Sequence, residues 1–207
     1  MLSNQMLQTF LDTLASQEAT PGGGSVAALN GAMGAALVSM VCRVTIGKKK
    51  YAAVESEMQS ILEQAEALRH RLTGLMTADT EAFNQVMAAF GMPRETEAEK
   101  AARREAIQSA LKEATRVPLE TARACAEVLA LCRPVAEKGN VNALSDVGTG
   151  AQVALAGLRG AALNVRINLE SIRDEAFVAE KEAELESILA GSDALAGEIY
   201  RLVQSKM

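Results

Sequence analysis

The chain has 207 residues, is 49% hydrophobic but only 3% aromatic, lacks Trp and carries a net charge of −5. That is enough apolar material for a real core, which excludes disorder for most of the chain, and a core of Ala, Leu, Val and Met favours closely packed helices. An acidic chain of this kind offers no broad basic surface for phosphate backbones, so nucleic acid is not an expected partner.

Leu2, Met6, Leu7, Phe10, Leu11 and Leu14 recur at helical spacing behind Ser3, which is placed to cap a first helix ending near Gln17. The opening MLSNQMLQTFLDTLAS has neither a basic stretch nor a following apolar run, so no signal peptide is predicted and a cytoplasmic location is expected. Thr20 to Gly24 breaks the pattern, and its three consecutive glycines suit close approach of bare backbone to another surface or a ligand. Ser25 is then placed to cap an apolar helix from Val26 to Ile46. That run invites a membrane reading. Asn30 and Ser39 interrupt it, however, and Ala27, Gly31 and Ala35 form the small-residue ridge of a buried central helix, so no membrane is expected as a partner.

Gly47 to Lys50 ends that helix, and Tyr51 to Phe90 reads as a long helix with Met58, Ile61, Ala65, Leu68, Leu72 and Leu75 on one stripe. The next position on the stripe is Asp79, while Ala82, Phe83, Val86 and Phe90 continue the apolar face beyond it. Gly91 to Pro93 ends the helix, and Thr96 with Glu99 is a capping-box signature for another, predicted to run to about Leu131 with a kink near Pro118. Pro134 and Gly139 mark a further break. A helix follows from Ser145 to about Arg173, then a polar, Glu-rich stretch from Asp174 to Met207 interrupted at Gly191. No strand pattern appears. The reading is an all-α, up-and-down bundle of long helices making one domain over residues 1–207.

Several residues carry chemistry. Asp79 faces apolar neighbours, where an unpaired carboxylate is costly; such a group has a raised pKa and is a proton donor or acceptor near neutrality, unless an Arg or Lys neutralises it as a buried ion pair. Asn140, Asn142, Ser145 and Asp146 sit in a turn entering a helix; they either present donors and an anion to a ligand or simply shape the turn and cap the helix. Asn164 and Asn168, four apart on one helix face, either read a flat heterocycle with donor and acceptor edges or bridge neighbouring helices. Lys48, Lys49 and Lys50 with Arg43 form a basic patch that either complements a helix C-terminus or receives an acidic ligand tail. PGGGS lacks the spacing of a phosphate loop. His70 is the only histidine, which speaks against a metal site, and Cys42, Cys125 and Cys132 read as small core residues in a reducing compartment.

The stretches TPGGGSVAALNGAMGAALVSMVCRVTIGKKKY, DTEAFNQVM and NALSDVGTGAQVALAGLRGAALNVRINL resemble the cyclodeaminase/cyclohydrolase family, in order over most of Thr20 to Leu169. No segment resembles a formiminotransferase half, and residues after Arg173 show little match. The resemblance implies an all-helical homodimer acting on a one-carbon derivative of tetrahydrofolate, without a prosthetic group. Its implied site comprises Pro21, Gly22, Gly23, Gly24 and Ser25, the Lys cluster, Asp79 and the Asn-Ser-Asp turn. The expected activity is hydrolysis of 5,10-methenyltetrahydrofolate to 10-formyltetrahydrofolate, with Asp79 paired to Lys49 or Asp146 for proton transfer and Lys48, Lys50, Asn140, Asn142, Ser145, Asn164 and Asn168 binding substrate. Two alternatives stand beside it: a formiminotetrahydrofolate cyclodeaminase that releases ammonia, and a folate-binding or helical interaction protein without catalysis.

Overall fold

The computed structural model describes residue 2 and residues 5–207. Within them the chain forms α1 (Leu7–Leu14), α2 (Gly23–Thr45), α3 (Glu55–Phe90), α4 (Glu97–Lys138), α5 (Leu144–Leu169), α6 (Glu175–Leu189) and α7 (Ser192–Lys206). Short 3₁₀ turns at Lys49–Val54 and Val141–Ala143 lead into α3 and α5. No strand occurs among the described residues, in agreement with the all-α reading.

Helix α2 is the central rod, packed against α3, α4 and α5. By length and composition it could cross a bilayer, yet most of it is buried against protein. Its small residues do the work expected of them. A side chain at Gly31 would run into Cys125 and Leu72, and one at Gly157 of α5 would sit 2.7 Å from the Ala27 carbonyl. Loss of those side chains lets α2 and α5 run in opposite directions at close range, with Gly34 against Gly150 near the middle and Ala27 against Gly157 towards the pocket end. Cys42, Cys125 and Cys132 are free and buried in this layer, where burial pushes the last two thiols up to about 12.

Boundaries of α1, α2, α4 and α5 differ from expectation, and α3 starts at Glu55, four residues after Tyr51. Ser3 lies outside the described residues, and α1 is only eight residues long, its Phe10 buried on Ala28 and Met76. Helix α2 begins at Gly23 with Gly22 as its N-cap, so Ser25 is not the cap. Gly24 lies in the first turn, where the Asp79 carboxyl occupies the space a side chain would need. Helix α4 does not stop near Leu131; it runs 42 residues, through both Pro118 and Pro134. A proline removes the bond to the carbonyl four residues back. For Pro118 that carbonyl belongs to Ala114, and Asn168 of α5 donates to it at 2.9 Å. For Pro134 it belongs to the exposed Ala130, within reach of solvent. The Thr96–Glu99 capping box forms as expected, with both reciprocal bonds in place. Helix α5 ends at Leu169, four residues early, and Asp174 caps α6 by accepting from Phe177 N–H.

Candidate functional site

Where α2 begins, α3 and α5 continue past it, leaving a cavity of about 270 Å³ in line with the start of the rod. Gly22, Gly23 and Gly24 form one wall, Asp79, Ala82, Phe83 and Val86 of α3 another, and Asn164 and Asn168 of α5 a third, with Ala114 of α4 between them and Ala19 and Thr20 at the edge. The volume is at the lower end for small-molecule sites and suits a bicyclic ring better than a long ligand. Pro21 is buried in the turn beside it, following a cis Thr20–Pro21 peptide.

Asp79 is held from behind. Ser25, 0% exposed, donates to Asp79 Oδ2 at 2.9 Å and also lies 3.2 Å from the Met76 carbonyl. It therefore contributes no surface to the cavity. Burial raises the Asp79 pKa above its ordinary value, and the Ser25 hydrogen bond opposes that rise without cancelling it. The alternative of a buried ion pair does not form among the described residues, where Ser25 is the group that holds the carboxyl.

The two amides make structural hydrogen bonds and also line the cavity. Asn164 donates Nδ2–H to the Gly160 carbonyl at 2.8 Å, and Asn168 spends one N–H on Ala114 as a bridge between helices. No hydrogen bond to either Oδ1 occurs among the described residues.

The remaining candidates lie elsewhere. Lys48, Lys49 and Lys50 are exposed beyond the far end of α2, with Lys50 over the Tyr51 ring. Asn140 is buried and structural: it donates Nδ2–H to the Val44 carbonyl at 2.8 Å, its backbone N–H donates to Thr45 Oγ1, and its Oδ1 accepts from Asn142 N–H. Asn142 and Ser145 are exposed beside it, and Asp146 is half-buried in the first turn of α5. A 23-residue helix is about 33 Å long, so within one chain neither Lys49 nor Asp146 reaches Asp79. The expected pairing of acid and base is not formed within the chain.

The sequence profile of the formiminotransferase-cyclodeaminase family matches residues 6–187. The chain belongs to this family. The match extends beyond the resembling segments into both α1 and α6. Over its full length the chain is 54% identical to the methenyltetrahydrofolate cyclohydrolase of Methylorubrum extorquens, covering 100% of each. It is 36% identical over 188 residues to the formimidoyltransferase-cyclodeaminase of Sus scrofa, of which it spans only 35%. The crystal structure of formiminotetrahydrofolate cyclodeaminase from Thermotoga maritima superposes with a TM-score of 0.85 at 35% identity, covering 100% of this chain and 97% of that one.

In this cyclodeaminase-family chain, Phe83, Val86 and Ala114 line the walls and Thr20 the edge, although the sequence reading assigned none of them to the site. Phe83 was within reach of it. A residue four positions after Asp79 on one helix shares its face, and an aromatic there is notable in a chain with four Phe. Ala114 had no such signal, because its place on the wall depends on α5.

Proposed function

We propose that this protein is a methenyltetrahydrofolate cyclohydrolase, with Asp79 as its acid and base. The observation that carries the reading is a carboxyl held by Ser25 on the wall of a ring-sized cavity, its pKa raised by burial, in a cavity also lined by two amides. Identity over the entire length of a named cyclohydrolase supports the choice of reaction.

The bridging carbon of the substrate is an amidinium cation. Its charge favours the ionised carboxylate beside it, and that carboxylate takes a proton from water as the oxygen adds to the carbon. The tetrahedral adduct then loses its bond to N5 as Asp79 returns the proton to that nitrogen. The hydroxyl oxygen releases its own proton to become the formyl carbonyl on N10. One water is consumed and one proton released. Ser25 suits both halves of the cycle: it donates to Oδ2 when Asp79 is ionised, and when Asp79 is protonated it can donate to Met76 while accepting from the carboxyl.

Likeness to the Thermotoga maritima enzyme favours a second reading, in which N10 attacks the formimino carbon, Asp79 carries the N10 proton to the formimino nitrogen, and a second proton from solution lets that nitrogen leave as ammonia. In either reading the chain works as a cytoplasmic homodimer, with folate as its small-molecule partner and no prosthetic group. The test follows methenyltetrahydrofolate absorbance with purified protein, corrected for spontaneous hydrolysis, and then measures ammonia from the formimino compound. Turnover of the first at the greater kcat/KM is expected; turnover of only the second transfers the assignment to the cyclodeaminase.

A further inference from the structure

The outer side of α2 has no role in the site just described. From Gly23 to Cys42 the helix carries no charge, yet Met33, Ala36, Met40 and Val44 lie exposed along it at steps of three and four. Such steps place them on one continuous ridge, and an apolar ridge of that length on a folded chain marks a contact surface. At the pocket end the ridge is already covered, where Phe10 packs with Val26 and Leu29. At the other end it runs into Lys48, Lys49 and Lys50, which have no ion-pair partner among the described residues, whereas most cations elsewhere in this chain do.

We propose that a second copy of this chain covers the ridge, with α2 packed antiparallel on α2 about a two-fold axis near Ala36, so that Lys48–Lys50 of the second copy close the Asp79 cavity. A two-fold interface is self-complementary, and Ala36 lies midway in sequence between Gly24 and Lys48. The antiparallel arrangement therefore carries the basic end of each α2 to the pocket end of the other. Charge selects the same arrangement. It sets three lysines against an end bearing Asp79 and Glu18, whereas parallel packing would set lysines against lysines. A cavity in line with the end of α2 is also where a partner rod lying alongside would deliver its terminal residues. Its ammonium groups then meet the carboxylates of the folate tail, which a 270 Å³ cavity does not itself enclose. This inference rests on the folate reading above.

The test is subunit complementation. Asp79→Asn and the triple variant Lys48→Ala, Lys49→Ala, Lys50→Ala are each prepared with a different affinity tag, then mixed through co-expression. If the sites are shared, the two lesions fall in the same site of a mixed dimer and the other site is intact. Both parents should then be nearly inactive at low substrate, while the 1:1 mixture recovers about a quarter of wild-type activity. A mixture no better than the mean of its parents overturns the shared site. So does a triple-lysine variant with wild-type kcat/KM. Wild-type activity in Asp79→Asn would instead remove the catalytic reading, which separates the two failures. Met40→Glu checks the surface without touching either cluster. The expected outcome is a helical monomer by sedimentation that has lost activity. A dimeric Met40→Glu protein, a fully active monomer, or a monomeric wild type that floats with vesicles of neutral lipid would each overturn the proposal.

Discussion

At one end of α2 the backbone starts bare, with glycines lying against a carboxyl whose one side-chain hydrogen bond comes from a buried serine. At the other end Thr45, Tyr51 and Asn140 spend their polar atoms on one another and on the Val44 carbonyl. The first end sets polar side chains along a cavity; the second closes its own and leaves only exposed lysine ammonium groups outside. A helix terminus with satisfied groups holds a fold together, and one with groups in reserve can handle a ligand.

The strongest attack on this contrast is Asp79→Asn. It keeps the shape of the carboxyl and removes its proton chemistry, so turnover should fall about a hundredfold or more while the helical signal stays intact, a barrier change of about 2.7 kcal/mol. Stopped absorbance assays and circular dichroism decide it. The same variant carries a stability signature. A carboxyl whose folded pKa is raised stabilises the protein fully below its unfolded value of 3.8, and that contribution is lost as pH rises through the folded value. Asn does not titrate, so the variant should gain on wild type in melting temperature as pH rises across that window. Parallel curves would mean the carboxyl is not perturbed in solution.

Gly24→Ala comes next. Its new methyl group collides with the Asp79 carboxyl, so activity should drop about thirtyfold and stability by about 1–3 kcal/mol. A variant with unchanged kcat would show that the carboxyl can move aside without consequence. At the opposite end, Asn140→Ala should cost about 1–3 kcal/mol in chemical denaturation, because the Val44 carbonyl and the Asn142 N–H lose their partner, while kcat changes less than twofold. A large kcat loss at unchanged stability would blur the contrast between the ends. Ser25→Ala should lose about fivefold in kcat. Because the serine bond lowers the Asp79 pKa, its removal should move the acidic limb of the pH–rate profile to higher pH. A shift to lower pH would contradict the geometry.

Periodicity made the helices legible, and Asp79 stood out as the one carboxylate on an otherwise apolar stripe; in the structure it lines the cavity. What stayed hidden involves partners distant in sequence. The persistence of α4 through Pro118 depends on an amide fifty residues further on, and nothing local announces that rescue. Ser25 reads as a cap because serines before apolar helices usually are caps; its actual partner lies 54 positions away. The grouping of the Lys cluster with Asp79 failed within the chain because motif order says nothing about which end of a long helix each motif occupies.

The burial of all three thiols gives the molecule a built-in clock. Held as neutral S–H groups, with Cys125 at the seam where Gly31 and Gly157 meet, they can be alkylated only in molecules whose inner layer has parted. The rate at which a thiol reagent is consumed thus measures how often the helices come apart, and any bound folate that steadies the seam will slow it.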